Sequence, residues 1–206
     1  MLIFGNPTGV APVTPREHDS IRAVRPVAPA TAATAAAGAT RTAAAATGAL
    51  APAPLVLGFG NVLLGDDGAG VRIVDRLRAQ SGDSDCQCID GGTMSFNLLA
   101  YVEAAHAMLV VDAAEMRATP GTVFLFEGNA MDEFLQGARR RTVHEIGLMD
   151  LLDMARLEAS LPPRRALLCV QPGPIGWSDA LSAAVAAALP AAVGLAAAQL
   201  QRWSAA

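Results

Sequence analysis

The chain has 206 residues, 52% of them hydrophobic, with 15 basic and 19 acidic side chains and a formal net charge of −4. With no basic surplus to neutralise phosphates, nucleic acid is excluded as the expected partner, whereas a cationic or metal-bearing partner suits the acidic balance. Three cysteines, Cys86, Cys88 and Cys169, make no disulfide framework, and their odd number fits reduced thiols in a cytoplasm.

Residues 1–53 mix Ala, Thr, Pro and Gly, and large side chains are almost absent after Val27. Such a segment has little apolar area to offset the entropy of ordering, so a disordered extension is expected. Pro7, Pro12, Pro15 and the charged Arg16-Glu17-His18-Asp19 interrupt any continuous apolar core of a secretory signal. That leaves 54–206 as one domain, roughly 150 residues and long enough to bury a core.

From Leu55 the punctuation becomes regular. Leu55 to Phe59 reads as a strand, and Ala69 to Gln80 as a helix with Val71, Val74 and Leu77 on one face. Cys86 to Asp90 reads as a second strand, Asn97 to Ala105 as a helix and Ala107 to Asp112 as a third strand. Cys86 and Cys88 could form half a metal site, although buried packing is the commoner use of such cysteines. Pro120-Gly121 announces a strand from Gly121 to Glu127, followed by a short helix over Met131 to Gln136. Arg139-Arg140-Arg141 reads as a solvated loop and Glu145 to Glu158 as a helix. Ala166 to Gln171 is the last strand, and an alanine-rich helix closes the chain.

That helix, within Ala180 to Leu200, is the richest apolar stretch. Ser182, Pro190, Gly194 and Gln199 interrupt it, so it reads as a buried or half-buried helix; no membrane span of roughly 18 to 20 strongly apolar residues is expected. Near-continuous apolar strands alternating with helices predict an α/β fold: three layers, with a mostly parallel twisted sheet of about five strands and helices on both faces.

The stretch Leu55-Val-Leu-Gly-Phe-Gly-Asn-Val-Leu-Leu-Gly-Asp-Asp-Gly-Ala-Gly70 reads as strand, glycine-rich loop and helix start. A dinucleotide fingerprint fails here. The third glycine should fall at position 63, which is Leu63, and two acids at a helix start repel a pyrophosphate. Asp66 and Asp67 instead suit a cation or a polarised water. Asp90 ends the second strand and Asp112 the third, so a parallel sheet lines up acids from three strands along one edge. His144, near the start of the helix after the basic loop, is the histidine placed to join them. Carboxylates with an imidazole suit a borderline divalent ion such as Ni, Zn or Fe, though an Asp at a strand end also serves as a helix cap. Glu115 is a secondary candidate. His106, at the opposite end of its strand from Asp112, reads as structural or solvated.

Gly58-x-Gly-Asn61 with Gly65-Asp-Asp-Gly68, Asp90-Gly-Gly-Thr93, Val110-Val-Asp-Ala113, Pro120-Gly121 and His144-x-x-Gly-Leu-x-Asp150 together resemble the hydrogenase maturation proteases. These endopeptidases trim the C-terminus of [NiFe]-hydrogenase large subunits. The resemblance runs from about residue 55 to 200 and covers the whole expected domain. It implies Asp67, Asp112 and His144 as the metal-binding set, with Asp67 where some family members carry Glu, and Asp90 as a further position tied to activity. It also implies that nickel comes with the substrate precursor, so no tightly bound metal is expected in the isolated protein. A nucleotide-binding α/β protein and a non-catalytic maturation chaperone on the same fold are the alternatives.

Overall fold

A computed structural model describes residues 53–81, 85–92, 96–138 and 143–205. The expected extension, apart from Ala53, and the loop Arg139–Arg141 lie outside the described residues. The sheet has five strands: β1 (Leu55–Phe59), β2 (Gln87–Gly92), β3 (Ala107–Ala113), β4 (Val123–Glu127) and β5 (Arg164–Val170), in the order β2-β1-β3-β5-β4. All neighbouring pairs are parallel except β4–β5, so β4 is the antiparallel edge strand. Five helices accompany it: α1 (Ala69–Ser81), α2 (Leu99–Ala104), α3 (Asn129–Ala138), α4 (Val143–Leu157) and α5 (Ala183–Ser204).

Strand alternation decides which face each side chain joins. Val56, Leu109, Val111, Leu168 and Val170 pack with α1 and α5, burying Ile73, Val74, Leu77, Leu189 and Val193. Leu55, Leu57, Phe59, Met108, Val110 and Leu167 pack on the other face, against Val102 of α2, Leu135 of α3 and Leu148, Leu151 and Leu152 of α4. Each such side chain, fully buried, contributes about 1.5–3 kcal/mol. The expected three layers are therefore present, with α1 and α5 on one side of the sheet and α2, α3 and α4 on the other.

The element boundaries moved where glycines intervene. β2 starts at Gln87 and continues through Gly92, with a bulge opposite Gly58 and Phe59, rather than running from Cys86 to Asp90. β4 begins at Val123 because Gly121 sits in a turn at φ +85°. The helix expected over Asn97–Ala105 divides into a 3₁₀ turn at Phe96–Leu98 and the short α2.

Helix α5 starts three residues later and ends four residues later than the expected Ala180–Leu200 stretch. At 22 residues and a mean hydropathy of 1.8 it is long and apolar enough to cross a membrane. In this fold Val185, Leu189, Ala192, Val193, Ala196, Gln199 and Leu200 are buried on its inner face, and α5 lies against α1 and the sheet. Those contacts give its apolar surface a place in the protein core.

Candidate functional site at the carboxyl edge of the sheet

In this strand order β1 is flanked by β2 and β3, so the chain leaves β1 in one direction for β2 and then crosses to the other side for β3. The crevice outside the carboxyl ends of β1 and β3 is the topological switch point, where open α/β sheets bind ligands. Asp67 follows β1 and is 8% exposed; Asp112 is the penultimate residue of β3 and is 4% exposed. Two carboxylates buried to this degree need partners or a ligand, because an uncompensated buried charge is costly. Asp67 Oδ2 accepts the Asn61 backbone N–H at 2.8 Å, and Asp112 Oδ1 accepts the Ala113 N–H at 2.8 Å.

Two glycines draw these residues together. Gly70, at the start of α1, lets the helix press onto the strand ends. A methyl group there would stand 2.4 Å from the carbonyl oxygens of both Phe59 and Val111 and 3.0 Å from Asp112 Cα. Gly60, at φ +123°, lies so close to the returning loop that a Cβ would meet the Asp67 carbonyl at 1.9 Å. Its N–H donates to Gly92 O at 3.0 Å, which ties the first loop to the end of β2. A single edge thus holds the ends of three strands.

The adjacent acids of the glycine loop have different surroundings, which corrects the expectation that both face a cation. Asp66, 1% exposed, reaches away to the segment after β5: its Oδ2 accepts Gly173 N–H at 2.8 Å and its Oδ1 accepts Ser182 N–H at 2.6 Å. Asp66 therefore clamps its own loop to a segment whose two ends lie 107 and 116 residues later in sequence. Asp90 reaches the same edge but is exposed, and its Oδ1 turns back to accept Gly92 N–H at 2.8 Å.

His144 lies in the first turn of α4; its side chain is outside the described residues. The backbone position is nevertheless informative. Helix α4 precedes β5, which starts at the opposite edge, so the amino end of α4 is at the carboxyl edge. Asp112 shares the parity of Met108 and Val110, the face that α4 covers. The imidazole-bearing residue thus starts its helix on the face toward which Asp112 alternates. Among the described residues, no three His, Cys, Asp or Glu side chains gather into a metal-holding group.

The other candidates resolve into structural roles. Glu115 Oε1 accepts Arg117 N–H at 2.7 Å and its Oε2 accepts from Gln171 Nε2 at 3.1 Å. Gln171, at the end of β5 and 3% exposed, also accepts from Met116 N–H and Ala118 N–H through Oε1. It is the organiser of the loop after Asp112, and no sequence motif marked it. His106 sits at the amino end of β3, half-buried, with Nδ1 unpartnered.

Cys86 and Cys88 also lie at the amino edge, with Sγ atoms 3.4 Å apart. They line a cavity of about 460 Å³ with Ala53, Arg78 and Tyr101. The hydrogen bond with Cys88, and then burial, push the Cys86 thiol well above the ordinary cysteine range.

The fold agrees with what the chain is similar to. The family model described as hydrogenase maturation protease matches residues 71–199, a span that includes Asp90, Asp112 and His144 and begins just after the Asp66–Asp67 loop. The hydrogenase expression/formation protein HupD of Rhodobacter capsulatus is 34% identical over 151 residues, 72% of this chain and 71% of its own. HoxM of Cupriavidus necator is 33% identical over 151 residues, 72% of this chain and 74% of its own. Among solved structures, the hydrogenase maturating endopeptidase HybD from E. coli superposes with a TM-score of 0.68 at 28% identity, covering 73% of this chain and 93% of that one. The [NiFe] hydrogenase maturation protease HybD from Thermococcus kodakarensis gives 0.60 at 26% identity, covering 71% and 97%. With a family match across more than half its length and a relative 34% identical over 72% of it, this chain belongs to the hydrogenase maturation protease family and is an endopeptidase of hydrogenase maturation.

Proposed function

We propose that this endopeptidase removes the C-terminal peptide of a [NiFe]-hydrogenase large-subunit precursor and recognises the nickel that the precursor already carries. The observation that supports this most is the pair Asp67 and Asp112, both buried, at the switch point on the edge where α4, with His144 in its first turn, begins. Two oxygen donors and an imidazole suit a borderline ion such as nickel. Three ligands from one protein leave coordination positions open, as a shared ion requires, whereas structural sites are usually closed by four.

In this reading nickel is part of the substrate. Asp67, Asp112 and His144 complete its coordination and so place the adjacent peptide bond over the crevice. Positioning of this kind makes the attack effectively unimolecular. A water held by the acids at the edge, Asp90 among them, attacks the scissile carbonyl and gives its proton to one of those carboxylates, which passes it to the departing nitrogen as the C–N bond breaks. The metal-bearing centre polarises that carbonyl. The reaction takes place in the cytoplasm, where Cys86, Cys88 and Cys169 remain free thiols.

Incubating the purified protein with nickel-loaded and nickel-free precursor, followed by intact-mass measurement, tests the reading. The expected result is loss of a C-terminal peptide from the nickel-loaded precursor alone. Cleavage of both forms removes the nickel requirement. Binding without any mass change replaces the peptidase with a chaperone.

A further inference from the structure

The loop that carries Asp67 has a second surface. Among the described residues six large hydrophobic side chains are exposed: Val62, Leu63, Tyr101, Leu157, Ile175 and Trp177. Four of these six lie on just two loops, the one from Gly60 to Leu64 and the one after β5, and the loops are joined. Leu64 and Ser178 form a parallel bridge; Ser178 N–H donates to Leu63 O at 3.0 Å and Gly65 N–H donates to Ser178 O at 2.8 Å.

Both loops are braced from beneath. The buried Asp66 carboxylate holds Gly173 and Ser182, the two ends of the second loop. The Arg72 guanidinium of α1 donates to the Asp179 carbonyl. Trp177 is nevertheless 85% exposed, Leu63 54%, Ile175 50% and Val62 38%. Scattered apolar residues on a surface need no explanation, but a rimmed cluster presented on braced loops marks an interaction site. Unlike a loop that is simply mobile, this pair is fixed in a shape that leaves a tryptophan uncovered.

We infer that Val62, Leu63, Ile175 and Trp177 form an apolar lip on which this endopeptidase seats an apolar stretch of its protein substrate, with Trp177 as the anchor that determines specificity. The inference rests on the function proposed above. The occupant follows from position. The lip is continuous with the Asn61–Asp67 turn, whose Asn61 N–H bonds the Asp67 carboxylate, so a polypeptide reaching the Asp67–Asp112 crevice passes over it. Large aromatic side chains are the usual anchors of such contacts, because they bury much area at little cost in rotamer freedom. Asp66 acts here as a positioning residue, holding the lip in place without touching the substrate.

The test uses the full chain and the nickel-loaded large-subunit precursor. Trp177→Ser raises KM about tenfold or more, the scale of a lost aromatic anchor, with kcat within about threefold and an unchanged melting temperature. Trp177→Phe restores most of the affinity. Leu157→Ser, which removes an equally exposed side chain at the far end of α4, changes neither constant. The protein has two tryptophans, and Trp203 is half-buried at the end of α5; precursor binding therefore shifts emission to shorter wavelength in the wild type and not in Trp177→Phe.

An unchanged KM in Trp177→Ser, beside a wild type that cuts normally, overturns the lip while leaving the proposed function standing. A change of oligomeric state in Trp177→Ser without a change in KM assigns the lip to a second copy of the chain and overturns the proposal in the same way. A wild-type protein that neither binds nor cuts the precursor overturns both.

Discussion

The two edges of the sheet are built from the same strands yet differ in how their polar groups are held. At the carboxyl edge buried carboxylate and amide side chains hold backbone N–H groups of the described loops: Asp66 joins two loops, Gln171 holds the segment after Asp112, and Asp67 accepts from Asn61. At the amino edge the polar groups pair with one another across elements: Asp132 of α3 accepts from Arg165 of β5 through Oδ2 and from Arg156 of α4 through Oδ1, and Arg164 donates to the Trp203 carbonyl at 2.7 Å. Ordering has an entropic cost for every group held, and both edges bear it, one through carboxylate and amide side chains on backbone N–H groups and the other through ion pairs between side chains. Ion pairs join whole elements at the amino edge, whereas bonds to single N–H groups fix individual loop positions at the carboxyl edge, which is the finer control that a site needs to act on a bond.

Breaking the carboxyl edge at its acids has the largest expected effect. Asp112→Asn and His144→Gln each reduce processing more than about 100-fold, beyond the 10–100-fold typical of residues behind a metal ligand. Each is nearly isosteric, so the melting temperature stays close to wild type. Cleavage assays on nickel-loaded precursor beside thermal melts check this, and full processing by either variant removes it from the site.

Gly70→Ala is next and acts through geometry. Its methyl group meets two carbonyl oxygens at 2.4 Å, so α1 must move off the strand ends. Overpacking of this kind costs about 1–3 kcal/mol, and the shift separates the Asp67 turn from Asp112. Both stability and cleavage fall, which distinguishes it from the ligand variants. A melt and a rate that both match wild type would show that the close crossing is not needed.

Asp66→Asn sharpens the contrast between neighbours. Asn can accept one of the two N–H groups that Asp66 holds, but its amide directs an N–H at the other. The loss is about 2–3 kcal/mol, the range for hydrogen bonds to a charged group, or roughly 5–10 °C of melting temperature for a domain near this size. The outcome expected is lower stability and a raised KM, with more remaining turnover than in Asp67→Asn. Equal loss of turnover in the two variants would place Asp66 among the reacting groups.

The smallest effects belong to the amino edge and the extension. Cys86→Ser and Cys88→Ser leave cleavage within about twofold, because the pair is separated from the crevice by the length of the strands, five or six residues at about 3.3 Å each. The Cys86 thiol, pushed up by its bond with Cys88 and by burial, stays protonated at neutral pH and alkylates slowly, as timed iodoacetamide labelling reads out. Deleting residues 1–50, which contain few large apolar side chains, shifts the melting temperature by less than about 4 °C, or about 1 kcal/mol. A larger shift would mean that the segment packs on the domain.

What could be read from sequence follows from which interactions are local. The strand Leu55–Phe59 and the α1 face of Val71, Val74 and Leu77 were legible because burial imposes a period on neighbouring residues. Asp112 and Asp90 could be placed on one edge because parallel strands alternating with helices put their carboxyl ends together. The division of labour between Asp66 and Asp67 was not legible. Two identical side chains one residue apart differ only in what lies beside them, and the partners of Asp66 come from Gly173 and Ser182. The same holds for Gln171, whose role depends on a loop more than fifty residues earlier, and for Trp177, where only the bridge to Leu64 sets an exposed indole beside the Asp67 turn. Sequence periodicity alone determined the layers and the edge on which the acids lie; contacts between distant loops, which leave no local pattern, decided that Asp66 holds Gly173 and Ser182 while Asp67 accepts from its own turn.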